Sequence, residues 1–474
     1  MQGRLLSTIS SQPVWFTGFI LLLLLLPLPF GSNRPWASDL FAVLSGALLL
    51  LMIWTQRHAA APAGSPPRKR LIAAAAGFSI VFLWSFVQIG SWTPAAWHHP
   101  LWIEAQTLLG DVAGAVAVDR GVVAESLLRF SGYIACFLLA FVAARDGARA
   151  KLIVITVAGA GVAYAAYGLI AQSMGGESIL WFKKWAYQGF LTSTFVNKNS
   201  YAAYAGFGLI CCLPLIHQHF KHKTADAVLA KRSKAAAFFA ALTLKDYAIL
   251  FAPLVILAAL ALTGSRAGVA SSLLGVFGYF IAMAVHNRKK SRGWVWLATV
   301  GLALFVGFVA MGGDALQERL DQNKMGEDFA SRAAAYQLEA QAIGDNPWLG
   351  FGLGSFDGAF KLYRDSTLQN WFHHAHNDYL EMIMDLGFPV ALILFLSLAL
   401  LISACASGLW QRRRDAHFTA IALGASLLVM THALVDFSLH IPAIAATYAA
   451  LLGVGVAQSW SVHKKNGEKA GSLR

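Results

Sequence analysis

The densest set of chemically active side chains is the run Trp371, Phe372, His373, His374, Ala375, His376, Asn377, Asp378, Tyr379, Leu380, Glu381, directly ahead of an apolar block. Its imidazoles, amide and carboxylates supply a proton acceptor, a partner to fix its tautomer, and hydrogen bonds for a polar substrate. His376 and Asn377 are the candidate catalytic pair, with His374 and Asp378 in support. His374, His376 and Asp378 also alternate, which from an extended segment would suit a metal ion. The remaining histidines are scattered from His58 to His463 without a second box, so neither a metal nor a cofactor is expected.

Cations form the second set. Thr263, Gly264, Ser265, Arg266, Ala267 make a tight turn between two apolar blocks. An arginine at membrane depth costs about 2.5–3.5 kcal/mol, so Arg266 is expected to face a wet cavity or an anion. Its guanidinium fork fits phosphate oxygens, and with Ser265 it opens a helix whose free N–H groups favour the same ligand. Lys198, bracketed by Asn197 and Asn199, opens another apolar block and can neutralise phosphate as a point charge. The alternating glycines of Pro347 to Phe356 can form either an anion nest or a tight turn, and no Walker motif follows them. His432, Asp436 and His440, spaced i, i+4, i+8, are expected on one helical face, aimed into the bundle or a hydrogen-bonded helix contact.

These groups need a scaffold, and the rest of the chain describes it. Of 474 residues, 57% are hydrophobic and 13% charged, about half the charge of a soluble domain. The apolar residues fall in blocks near 14–30, 37–54, 71–90, 124–144, 152–172, 199–216, 247–263, 267–285, 294–312, 382–406, 416–438 and 441–458. Each suits about 30 Å of hydrocarbon, so the chain reads as one all-α polytopic membrane domain over 1–474 with about twelve spans. The first block resembles a signal peptide, but no cleavage site follows it and it is expected to stay as a helix. Cys136, Cys211, Cys212 and Cys405 all lie in apolar blocks, as small hydrophobes.

A net charge of +13 invites a nucleic-acid reading, but 24 of the 37 Lys and Arg sit in alternate loops and at the two ends. That is the positive-inside pattern, which predicts both termini in the cytoplasm and the candidate site on the outer face of the membrane. The longest outer loop, 313–381, contains a helix-like stretch from Asp328 to Ile343 whose predicted buried face is Phe329, Ala333, Tyr336, Ala340 and Ile343.

On these residues the chain resembles the O-antigen ligase and polymerase superfamily of bacterial envelope glycosyltransferases, over about 190–440. His376, Asn377 and, nine residues further, Gly387 resemble the ligase signature. The family's next glycine is replaced here by Val390, after Pro389. Ser265 and Arg266 match its Ser-Arg turn, Pro347 to Phe356 its proline, glycine and phenylalanine segment, and Thr194 to Asn199 its aromatic-Asn-x-Asn segment. A second family arginine upstream of that segment is missing between Met174 and Tyr201, leaving Lys198, Lys184 or Lys183 to substitute.

The resemblance implies metal-independent, inverting transfer of a glycan from undecaprenyl diphosphate to an acceptor hydroxyl on a lipid or glycan. In that reading Arg266, Lys198 and Ser265 bind the diphosphate, while Asp436 and His432 add support. Membrane lipids are the surroundings and nucleic acid is not a partner. A reading from another class is a secondary transporter or flippase-like protein of polysaccharide assembly. Inverted repeats and midplane charges would favour it, and no internal repeat is visible. The topology has a direct check: in a cysteine-free background, Asp321→Cys should react with a membrane-impermeant thiol reagent in spheroplasts while Lys290→Cys stays unlabelled. Equal labelling would reverse the orientation.

Overall fold

The computed structural model describes residues 12–58, 67–229, 242–287, parts of 293–301, 322–366, 368, 371–412 and 415–460. Among these, the only strands are a short hairpin, β1 (Ser178–Ile179) with β2 (Phe182–Lys183). Among the described residues, eight helices are long and apolar enough to cross a bilayer: α2 (Pro35–Gln56), α3 (Arg68–Gln88), α5 (Arg120–Ala143), α6 (Gly147–Ser173), α7 (Lys198–Leu229), α8 (Leu244–Leu262), α9 (Arg266–His286) and α13 (Phe388–Gln411). Three shorter apolar helices, α1 (Val14–Leu25), α14 (His417–His432) and α15 (Pro442–Ala457), match three further expected blocks. The block at 294–312 lies largely outside the described residues. Shorter helices lie at one end of the bundle: α4 (Leu101–Leu109), α10 (Gln322–Asp345), α11 (Phe356–Phe360) and α12 (Asp378–Leu386).

Arg57, Arg68, Lys69, Arg70, Arg145, Arg149, Lys151 and Arg412 gather at one end of these helices. The helix starts at Lys198, Arg266 and Phe388, and the break between α14 and α15, gather at the other. Exposed Leu21, Leu40, Leu50, Trp54, Leu83, Phe251 and Leu396 make an apolar outer surface suited to lipid. Inside, helices approach through glycine. A Cβ on Gly275 of α9 would lie 2.9 Å from the Gly424 carbonyl of α14, and one on Gly161 of α6 would lie 2.8 Å from Gly208 of α7. Small residues permit backbone-to-backbone packing where burial of apolar surface gives no net drive between helices in lipid. The shortest helices are the most enclosed: nearly every residue of α15 is buried, so its wall is protein rather than lipid.

Two sequence expectations change here. The block 382–406 is not one helix, because Gly387 (φ 76°, ψ 154°) breaks it into amphipathic α12 and apolar α13, with Pro389 in the first turn of α13. Val390 is buried inside α13 against Leu127 and Leu386, so the missing second glycine leaves the corner intact. The stretch around Asp328–Ile343 is helical as α10, but its buried stripe is Ala335, Glu339 and Ala342, while Ala333 and Ala340 are exposed. The face is rotated by about one residue, because a carboxylate rather than an apolar side chain sits at its centre; Phe329 lies among residues whose side chains are not described.

The Gly387 corner carries a prediction. Its backbone lies where essentially only glycine is unstrained, at a cost of about 1–3 kcal/mol for another residue. A Cβ there would also stand 2.4 Å from the Trp348 carbonyl oxygen. Gly387→Ala should lower the thermal unfolding midpoint of the detergent-solubilised protein, and an unchanged midpoint would show that the corner yields freely.

Candidate functional site

Asn377 starts the local structure. Its side-chain oxygen accepts from the N–H groups of Tyr379 (3.0 Å) and Leu380 (3.2 Å), capping α12. The amide expected to hold substrate therefore has its oxygen engaged by the helix start. Just before it His376 takes φ 56°, an uncommon value for a non-glycine residue, and Tyr336 of α10 donates to its carbonyl at 3.0 Å. The turn aims the His376 ring away from its sequence neighbours and toward Asp436, whose Oδ1 lies 3.6 Å from Nδ1. Phe372 and Phe437 wall the ring, edge to face, at 5.8 and 4.8 Å between centroids.

Asp436 is fully buried and held from three directions: by the Phe437 N–H at 2.8 Å, by a short contact from the Asn199 side-chain amide at the start of α7, and by His376. Burial opposes its charge, and the imidazoles of His376 and His432 with the Phe437 N–H offset that penalty. His432, Asp436 and His440 do not share one helix, as their spacing suggested. Helix α14 ends at His432, a turn carries Asp436, and His440 closes a single 3-10 turn. Each of the three therefore finds its own partner. His432 Nδ1 lies 2.8 Å from Ser438 Oγ, and His440 Nδ1 lies 2.8 Å from Asp378 Oδ1.

The proposed alternation of His374, His376 and Asp378 dissolves in the same way, since each turns to a different partner. His374 Nδ1 meets Glu381 Oε1 at 2.8 Å, and Glu381 Oε2 accepts from the Ala375 N–H at 2.9 Å. Asp378, Glu381 and Asp385 follow an i, i+3, i+7 spacing, so α12 buries three carboxylates on one face. Opposite stands Glu339 of α10, whose carboxyl burial and the neighbouring Glu381 and Asp385 push up to about 9. His440 stands among these acids, with Nδ1 2.8 Å from Asp378 Oδ1 and Nε2 3.1 Å from Glu381 Oε1.

The cations lie at the same end. Asn197 accepts from the Asn199 N–H at 2.8 Å, so Lys198 is the first residue of α7. Ser265 accepts from the Gly268 N–H at 3.1 Å, so Arg266 is the first residue of α9. Lys198 Nζ reaches the Gly264 carbonyl at 3.4 Å and covers the Phe190 ring at 3.5 Å, which joins the two helix starts. Arg266 has a buried Nη2 without a hydrogen-bond partner among the described residues. Neither first turn holds an acidic residue. A cation on the positive end of a helix dipole is unfavourable by itself, and two side by side call for an anion between them.

Of the other lysines weighed, Lys184 is buried and donates to the Phe190 carbonyl, which ties it into the loop, and Lys183 is exposed on β2. The glycine segment is no external anion nest. Phe351 and Gly352 N–H groups bond the Met384 and Asp385 carbonyls, Leu353 N–H bonds Gln88, and Gly354 N–H bonds the Asp385 carboxylate. The anion it cradles is the chain's own Asp385. Sequence reading missed Glu339, Asp385 and Arg332, whose Nη1 donates to the Val435 carbonyl at 3.2 Å. The carboxylates had a signal, their i, i+3, i+7 spacing and an acid within an alanine-rich stripe. Arg332 had none.

The fold is that of a helical membrane bundle, with a buried His-Asp pair and two cations at one end. Residues 251–395 match the model of a family described as O-antigen ligase. Over that segment the chain is similar to the O-antigen ligase family, a likeness that suggests a membrane function of ligase or polymerase type. The match holds Ser265, Arg266, His376, Asn377 and Gly387 but is narrower than 190–440, leaving Lys198 and Asp436 outside it. No curated protein matches the chain.

The cation pair can be tested without any donor substrate. Removing one charge-assisted contact of about 1.5–3 kcal/mol should weaken pyrophosphate binding to Arg266→Ala roughly tenfold to hundredfold. Arg266→Lys should recover only part, because the fork is lost. Calorimetry on protein in nanodiscs would show this, and equal affinity in all forms would remove Arg266 from the anion site.

Proposed function

We propose that this protein is a glycosyltransferase that moves a glycan from undecaprenyl diphosphate to an acceptor hydroxyl on a lipid or glycan, at the periplasmic face of the bacterial inner membrane. The observation that carries the reading is the meeting, at one bundle end, of the His376–Asp436 pair with the helix starts bearing Lys198 and Arg266. Asn199 bonds Asp436 and directly follows Lys198, so acid–base and anion-binding groups share one wall.

In this reading the acceptor oxygen attacks the anomeric carbon from the face opposite the diphosphate, giving inversion. The bond from that carbon to the phosphate oxygen breaks, and the lipid diphosphate leaves with the bonding electrons. Arg266, Lys198 and the N–H groups of α7 and α9 stabilise the charge that builds on it. His376 takes the acceptor proton through Nε2, while Asp436, 3.6 Å from Nδ1, positions the ring and stabilises its cation. Distances of this kind commonly tighten once substrate is bound. Ser265 serves as the cap that aims Arg266, and Asn377 as the cap that fixes the turn at His376. No metal is needed at the reacting atoms, because the diphosphate charge is met by side chains.

Purified protein given an undecaprenyl-diphosphate glycan and acceptor should form the transferred product and free lipid diphosphate, without nucleotide or ATP. His376→Ala should lower turnover by about 10² to 10⁴. Transfer from a nucleotide sugar with the lipid donor inert would end the assignment, and wild-type turnover in folded His376→Ala would remove that histidine from the chemistry.

A further inference from the structure

Beside the His376–Asp436 pair lies a second cluster that the transfer reaction does not use. His374 Nδ1 is 2.8 Å from Glu381 Oε1, His440 Nε2 is 3.1 Å from that same oxygen, and the three residues each bring a ligand atom within 4.8 Å of the others. A tetrahedral zinc with bonds of about 2.0–2.2 Å sets its ligand atoms roughly 3.3 Å apart. The two close separations fall within about half an ångström of that spacing.

Each candidate ligand is also braced from behind. Asp378 Oδ1 takes the Nδ1 side of His440 at 2.8 Å, which turns Nε2 inward, the carboxylate–imidazole arrangement that backs many metal-bound histidines. The Ala375 N–H occupies Glu381 Oε2, leaving Oε1 for the centre. With its proton on Nδ1, His440 would face the Glu381 carboxylate with a lone pair, acceptor against acceptor, and Nε2 has no hydrogen-bond partner. Something positive belongs between them, either a second proton or a metal ion.

An independent feature favours the ion. Glu339 is 1% exposed and neither of its carboxylate oxygens has a hydrogen-bond partner among the described residues. Its helix α10 packs against α12, which carries Glu381 and Asp385, and Asp385 Oδ1 is unpartnered as well. These carboxylate oxygens, buried and without partners among the described residues, are lone pairs that a metal ion can use beside the two imidazoles. Imidazole and carboxylate together suit zinc and its neighbours rather than magnesium or calcium.

We propose that His374, Glu381 and His440 bind one zinc ion, with Glu339 available as a fourth ligand, directly or through water. Its role is structural. His374 and Glu381 belong to the segment that includes His376, and His440 to the segment that includes Asp436, so one ion ties together the two loops that carry the pair. Phe437 completes the link, stacked on His374 at 4.5 Å and edge-on to His376 at 4.8 Å. This departs from the metal-free expectation for the cluster, while leaving the transfer chemistry without a metal step, and it stands or falls independently of the donor.

The test uses full-length protein in nanodiscs, stripped with chelator, desalted and titrated with zinc chloride alone. Wild type should retain one zinc per chain by elemental analysis and gain thermal stability on zinc addition. Glu381→Gln and His440→Ala should each bind at least a hundredfold more weakly and gain no stability, with Asp357→Asn behaving as wild type. Cobalt substitution should give the visible absorption of a tetrahedral nitrogen and oxygen site. Should the variants fail to fold, wild type alone decides: no saturable binding near one equivalent would overturn the proposal. Zinc retained equally by folded Glu381→Gln and His440→Ala would also overturn it.

Discussion

The burial of Asp436 is the constraint on which the site depends. A carboxylate taken wholly out of water is costly unless hydrogen bonds and opposite charges replace hydration. Its partners come from α7 through Asn199, from its own turn through the Phe437 N–H, and from the segment before α12 through His376. Satisfying this one group fixes the position of three parts of the chain that lie far apart in sequence. It also explains why His376 is held in a left-handed backbone conformation, since that turn brings its ring across to the acid. The strain is offset locally by the Tyr336 bond to the same residue's carbonyl.

The neighbouring carboxylates follow a different logic. Asp378, Glu381 and Asp385 come from one face of α12, and Glu339 comes from α10 directly opposite. Like charges this close cannot all ionise, so they divide. Glu381, with imidazoles and an N–H around it, is held below the ordinary value despite its burial, whereas Glu339 and Asp385 are pushed upward by burial and by the neighbouring Glu381. For Asp385 the relief is partial, because Gly354 of the glycine-rich segment donates to one of its oxygens while the other has no hydrogen-bond partner among the described residues. That segment therefore belongs to the acid cluster by its structure, although its spacing suggested a place for a ligand.

How much the sequence revealed tracks the range of the interaction concerned. Apolar blocks are local, and α2, α3, α5, α6, α8 and α9 begin and end within a few residues of the places hydropathy indicates. The helix start at Ser265 is equally local and legible, whereas Asn377, expected at the chemistry, caps a helix that hydropathy begins five residues later. Side-chain pairing is not local. Asp378 stands two residues from His376 yet serves His440, and Asp436 stands four from His432 yet serves His376, because a helix end and a turn intervene. Periodicity assumes an unbroken helix, and it fails where function breaks one. The face of α10 was misplaced for a related reason, as hydrophobicity cannot announce that the buried residue is Glu339.

The shortness of the two central helices gives that break its physical basis. At about 1.5 Å per residue, the 16 residues of α14 and of α15 each rise roughly 24 Å, short of the hydrocarbon thickness of about 30 Å. The deficit is made up by the irregular segment 433–441, whose polar backbone would be intolerable against lipid. It is tolerated because site residues satisfy it. Asp378 donates its N–H to the Ala433 carbonyl, Arg332 donates to Val435, and the Leu439 N–H is taken by the Asp378 carboxylate. Tyr379 adds a bond to the last turn of α14 at Met430. The polar groups around His376 thus do two things at once: they form the chemical environment of the site, and they make possible the helix interruption that lets Asp436 reach it. Replacing them with apolar residues would strand backbone groups in the bundle before it altered any reaction, so the chemistry and the fold at this end are held by the same bonds.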